Sequence, residues 1–266
     1  METHRLKNII ILTLLLMNAF LLGTLGMRQA QQAAARRQVT EELVKLFAAE
    51  GVTLSQNAVL FTPPPPTLTL ERDVEAEKTA ATVFLGPELT AADEGGGILT
   101  YTSALGRAVF RASGAFEIVG ELGKNPVDLV RRFCRSYECE TPEEWIDASG
   151  SGSVTVIRLY RGYPVEGCAV TFLAEKNVLH SVNGTFLPLH STAAQGESLL
   201  TASTALTAFL EARRTSGAVV SAVTGLSPCY ELQNTTSALT LTPLWRVDTD
   251  AVDYYVNCVT GAVVHA

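Results

Sequence analysis

Between Lys7 and Arg28 lie twenty residues without a charge, centred on Ile9-Ile10-Ile11-Leu12-Thr13-Leu14-Leu15-Leu16. As a helix they extend for about 30 Å, the thickness of a hydrocarbon core. The pattern predicts a transmembrane helix over 8–27, preceded by a short tip over 1–7. A cleaved signal peptide fits less well, because its apolar region spans about 7–15 residues and ends at a small-x-small site. Here the stretch runs on into Met27-Arg28-Gln29. Arg5 and Lys7 favour a cytoplasmic amino terminus, while Arg28, Arg36 and Arg37 count the other way. With the span near residue 1 and no second span after it, the expected arrangement is single-pass in the cell membrane. The amino terminus is then cytoplasmic and the rest extracytoplasmic, with membrane lipid as one partner.

Asn18 falls near the middle of this stretch. Its amide either bonds to a partner helix, beside a close-packing face at Gly23 and Gly26, or is a tolerated single polar residue.

The charge is unevenly placed. Residues 1–27 carry a net +1 and residues 28–266 a net −8, within a formal total of −7. An acidic chain lacks the basic face that phosphate neutralisation requires, which excludes nucleic acid as a partner. At 47% apolar and 18% charged, the chain is also too hydrophobic to be disordered.

Beyond the apolar stretch, helical and strand patterns alternate. Residues 28–52 read as a juxtamembrane helix with Val39, Leu43, Leu46 and Phe47 on one face, stopped by Gly51. Thr53–Thr62 reads as a strand, and Pro63–Pro66 as rigid extended connector. An α+β part covers 53–124, with a helix over 75–85, a loop at Asp93–Gly97 and three alternating runs after it. Asn125-Pro126 reads as an N-cap and first helical residue. A weak internal repeat follows, over 125–190 and 198–266. Each unit is a helix laid on an antiparallel meander, so the fold class expected is α+β. Thr260-Gly261 marks a final hairpin.

Catalytic and metal signatures are missing. His4, His180, His190 and His265 include no i, i+4 pair, and there is no HExxH, CxxC or GxSxG. The expectation is a non-enzyme without cofactor or metal. The five cysteines are Cys134, Cys139, Cys168, Cys229 and Cys258. Cys134 and Cys139 can meet only if their helix ends near Tyr137. Cys229 and Cys258 fall in neighbouring predicted strands and are candidates for a disulfide. The competing reading makes all five small buried apolar residues.

Two stretches resemble a known family. Ile157-Arg158-Leu159-Tyr160-Arg161-Gly162-Tyr163-Pro164-Val165-Glu166-Gly167 is similar to the strand–turn–strand of PepSY and propeptide-like domains. Leu241–Val247, carrying Pro243 and Trp245, then Tyr254-Tyr255-Val256-Asn257 and Thr260-Gly261 resemble their ending. With the basic amino terminus and the apolar stretch, the whole chain resembles the YycI family. Members of that family act with YycH-type proteins on the WalK sensor kinase. The resemblance implies repeated PepSY-like units behind a membrane anchor, assembled as homo- or hetero-oligomers. It also implies a regulator of a two-component sensor histidine kinase, with a YycH-like protein as second partner. Gly162, Pro164, Gly167, Pro243, Trp245, Tyr255 and Gly261 are structural residues in this reading. The alternative is a PepSY-type inhibitor or chaperone of an extracytoplasmic protease or cell-wall hydrolase, bound through a strand edge.

Overall fold

The computed structural model describes the backbone of residues 2–234 and 239–265, and side chains from residue 14 onward. A 48-residue helix, α1 (Glu2–Ala49), leads the chain. Its carboxy-terminal turns bury Leu43 and Phe47. The helix stops because Gly51 takes a left-handed φ of 73°, letting the Val52 N–H reach back to the Phe47 carbonyl at 2.9 Å.

Three further helices follow: α2 (Val74–Leu85), α3 (Pro126–Ser136) and α4 (Ala202–Ser216). Asp73 caps α2 by accepting from the Ala76 N–H, and Thr201 caps α4 by accepting from the Thr204 N–H. Asn125 behaves differently from its expected capping role: it is left-handed, with φ 65°, and its side chain makes no cap bond.

Strands β1 (Thr53–Leu54) and β2 (Leu68–Leu70) flank the proline run. Strands β3 (Thr90–Gly95), β4 (Ile98–Ser103), β5 (Gly106–Arg111) and β6 (Ala115–Lys124) follow α2 as a meander. Strands β7 (Gly152–Tyr160), β8 (Tyr163–Glu175), β9 (Val178–Thr185) and β10 (Ser191–Ala193) follow α3. Strands β11 (Ala222–Asn234), β12 (Leu239–Thr249), β13 (Tyr254–Asn257) and β14 (Val263–His265) follow α4.

The described strands belong to a single sheet of fourteen. Its main order is β10-β2-β12-β11-β8-β9-β6-β5-β4-β3, with β1 on β11, β7 on β8, and β13 and β14 beyond β12. Most neighbours are antiparallel, but β11 runs parallel to β8 at Tyr230↔Val165 and Glu231↔Glu166, and parallel to β1. This corrects the expected fold class. The helices and meanders do not close as separate repeated units; their strands merge into one large mixed sheet, because β8 offers hydrogen bonds to β7, β9 and β11 in turn.

The transmembrane span is corrected as well. Among the described residues no helix is long and apolar enough to cross a membrane. The expected span over 8–27 falls partly outside the described side chains. The single-pass cell-membrane localisation, with its cytoplasmic and extracytoplasmic sides, rested on that span and falls with it.

Two helix-covered cores and a smaller third one hold the sheet. Helices α2 and α3 press Phe84 and Phe133 onto Phe110, Phe116, Phe172 and Phe186. The end of α1 and α4 cover Trp245, Val247 and Val256, with Phe47 stacked on Phe209 at 6.3 Å. A third cluster, including Val165, Cys168, Tyr230 and Leu241, lies where β8 meets β11.

Trp245 is fully buried, and its indole N–H donates to the Leu200 carbonyl at 2.9 Å. Trp245→Phe leaves that carbonyl without its donor and a gap beside α4. The expected loss is about 1–3 kcal/mol of unfolding free energy, read as a lowered urea midpoint at unchanged slope.

Candidate functional site

The sequence motif around Gly162 builds the most unusual site in the molecule. Strands β7 and β8 are joined by Arg161-Gly162, both with positive φ, 52° and 82°. That pairing makes a two-residue turn whose twist suits a tight hairpin. Pro164 pairs with Leu159 just beyond it, and the next pair is Ala169 with Ile157. Residues 165–168 of β8 therefore bulge away from β7 opposite the single residue Arg158. Gly167, at φ 72°, supplies the left-handed residue this bulge needs. The bulge frees Val165 and Glu166 to pair with β11.

Arg158 is 1% exposed, an uncommon place for a guanidinium. Among the described residues no carboxylate forms an ion pair with it. Its Nη1 donates to Cys139 Sγ at 3.2 Å, and its Nε has no partner.

Cys139 arrives there because α3 ends at Ser136 and Glu138 turns left-handed at φ 48°. The chain doubles back: the Cys139 N–H bonds to the Cys134 carbonyl at 3.0 Å, and Cys139 makes a bridge with Arg158 on the free side of β7. The neighbouring Cys134 thiol, with the Arg158 charge behind it, holds the Cys139 thiol below its ordinary value despite burial; the Cys139 sulfur also lies 3.9 Å from the Tyr137 carbonyl. Cys134, beside Cys139 and buried, is pushed far up.

The other cysteines sit apart. Cys229 and Cys258 are buried and free, so the expected disulfide is not made. Cys229 pairs with Leu244 of β12, which pairs in turn with Asn257 of β13. A whole strand separates them, about 9–10 Å, beyond the ~4.4–6.8 Å that a bridge spans. Burial pushes the Cys168 thiol up to about 11 and the Cys258 thiol up to about 12, and raises Cys229 further.

The remaining motif residues serve the second core. Pro243 pairs with Tyr230, and its carbonyl accepts from the Cys258 N–H. Tyr255 pairs with Arg246, which reaches Asp248 at 2.8 Å and Glu166 at 3.9 Å. Burial and then Glu166 raise the Tyr255 hydroxyl. Gly261, at φ 76°, turns the chain between β13 and β14. These residues do not converge on one cavity with Gly162, Pro164 and Gly167.

Two surfaces complete the inventory. On α1, Leu14, Leu15, Leu16, Met17, Phe20, Leu21, Leu22, Leu25 and Met27 are all more than half exposed. Asn18 lies on this segment, and a Cβ at Gly23 or Gly26 would meet nothing within 4 Å. On α3, Arg131, Arg132 and Arg135 line an open basic groove with Lys124, Asn125 and Asp128. Among the described residues there is no group of three or more metal-binding side chains. No family model and no curated protein matches the chain.

Arg158 lay inside the motif the sequence offered, yet its burial was invisible there. The signal available was Arg158 alternating with Val156 and Tyr160, both core-facing.

The raised thiols predict an alkaline loss of stability. Cys168, Cys229 and Cys258 stay neutral when folded but ionise near ~8.5 when unfolded. Their contribution is complete below that pH and is lost as pH rises toward the folded values. Each thiol adds about 1.4 kcal/mol per pH unit to the decline. Under reducing conditions, urea midpoints should fall between about pH 8.5 and pH 11, and the Cys229→Ala/Cys258→Ala variant should fall less steeply.

Proposed function

We propose that this chain is a non-enzymatic regulator that works by binding other proteins: a sensor histidine kinase and, beside it, a YycH-like regulator. The observation that carries the reading is the exposed apolar run of α1. Nine large apolar side chains between Leu14 and Met27 are more than half exposed. Burying a side chain of this size is worth roughly 1.5–3 kcal/mol, and apolar patches beyond a few hundred Å² mark interaction sites. An apolar helix of the kinase is the occupant that suits this segment. The open space at Gly23 and Gly26 allows close backbone approach, and Asn18 offers an amide to a facing polar group. The basic groove of α3 adds a second face, complementary to an acidic partner surface. The resemblance to YycI-type regulators supplies the partner class.

The second reading, an inhibitor or chaperone of a protease or cell-wall hydrolase, draws on β3. Among the described strands β3 pairs with β4 alone, and its residues are exposed throughout. It leaves an open edge to which another chain can add a strand.

The two readings separate in one experiment. A photoreactive residue at Leu21 of the full chain, expressed in its native host, should crosslink to a sensor kinase. Asn18→Leu should lower that recovery about three-fold or more, while Ala91→Pro on the β3 edge should leave it unchanged. Capture of a hydrolase with no kinase, lost in Ala91→Pro, reverses the ranking.

A further inference from the structure

A guanidinium taken out of water costs several kcal/mol unless a negative group answers it. Arg158 is 1% exposed and has no carboxylate partner among the described residues. The group placed against it is a sulfur, Cys139 Sγ at 3.2 Å. As a neutral thiol, that sulfur would leave the cation uncompensated. As a thiolate, it accepts from Arg158, and the charge of the pair is closed. We propose that Cys139 is the reactive thiol of this protein, held as a thiolate by Arg158, and that a small peroxide converts it and Cys134 into an intramolecular disulfide.

The neighbours of the pair are consistent with this assignment. Against the Cys139 sulfur stand Arg158 from β7 and, 3.9 Å away, the Tyr137 carbonyl just after α3; Cys168 on β8, whose thiol burial pushes up, also feels the Arg158 charge. Asp73, which caps α2, reaches this neighbourhood through Tyr137, whose hydroxyl burial raises. Arg158 is therefore the cation next to Cys139, and Cys134 the thiol beside it. Cys139 retains 7% exposure between the exposed Glu138 and Glu140, whereas Cys134 retains 1%. A small oxidant meets Cys139 first.

The steps balance with hydrogen peroxide as oxidant. The Cys139 thiolate attacks one peroxide oxygen, the O–O bond breaks, and the departing hydroxide takes a proton to leave as water. Cys139 is now a sulfenic acid. Cys134 then attacks the Cys139 sulfur, the S–O bond breaks, and the hydroxide leaves with the Cys134 proton as a second water. Two thiols have lost two electrons, and one peroxide has gained them. The turn at Glu138 allows the final bond, since it sets the two cysteine backbones side by side through the Cys139 N–H to Cys134 carbonyl bond.

The test uses the full chain, reduced and then freed of reductant. At pH 7 iodoacetamide should label Cys139 about ten-fold faster or more than Cys168, Cys229 and Cys258. Ultraviolet thiolate absorbance should show one thiol ionising below the ordinary ~8.5, and Cys139→Ser should lose that step. After hydrogen peroxide, peptide mapping should find Cys134 joined to Cys139. Cys134→Ser should stop at a sulfenic acid on Cys139 that dimedone traps. Labelling and mapping on the unsubstituted chain decide the matter even if a variant misfolds. Labelling of Cys139 no faster than the other three, or a peroxide-treated folded chain whose first product excludes Cys139, overturns the proposal.

Discussion

The parallel contact of β8 with β11 spans two residue pairs, and the continuity of the whole sheet depends on it. On one side lie the strands covered by α2 and α3, and on the other those covered by α4 and the end of α1. Among the described strands β8 links the two, pairing with β7 and β9 on one side and with β11 on the other. It serves both by abandoning β7 for four residues, which requires a left-handed residue at Gly167 and a tight turn at Arg161-Gly162. The hydrogen bonds released from β7 are taken up by β11, and the bulged segment packs Val165 and Cys168 against Tyr230 and Leu241. A local departure from strand regularity thus joins two helix-on-sheet layers into one body.

The same departure explains the buried cation. A bulged strand leaves the residue opposite it without a regular neighbour, and here that residue is Arg158. Its charge is answered from the other side of β7 by the segment that ends α3. The Leu159 N–H to Glu138 carbonyl bond, at 2.6 Å, and the Glu140 N–H to Ile157 carbonyl bond, at 3.1 Å, fix that segment. Redox chemistry at Cys139 and Cys134 would therefore act on the seam between the layers rather than at a remote surface. Partner binding through α1 would act at the far end of the second layer, whose core includes Phe47 of the same helix.

Regular elements with one buried face were legible in the sequence. Helix α4 and strands β4 and β8 announce themselves by periodicity, and Gly51 marks a helix end with backbone chemistry. Strand β3 was read as a loop because Asp93-Glu94-Gly95 has no apolar face; as an exposed edge it needs none. Strands β2 and β10 were missed because each has three residues, too few to show alternation. The proposed pairing of Cys229 with Cys258 failed because sequence order made their strands look adjacent, whereas β12 lies between them.

The sequence alone determined the longer helices and the alternating strands, the turn at Gly162, the acidic balance, and an apolar amino-terminal stretch calling for some non-aqueous neighbour. These follow from local rules, in which a side chain and its near neighbours set backbone preference and exposure. Tertiary structure alone decided that the strands fuse into one mixed sheet and that Arg158 meets Cys139 beside Cys134. Those outcomes depend on which hydrogen bonds a bulged strand hands to a distant partner, and on what remains to neutralise a charge once it is enclosed. Such long-range competition has no signature in the order of residues.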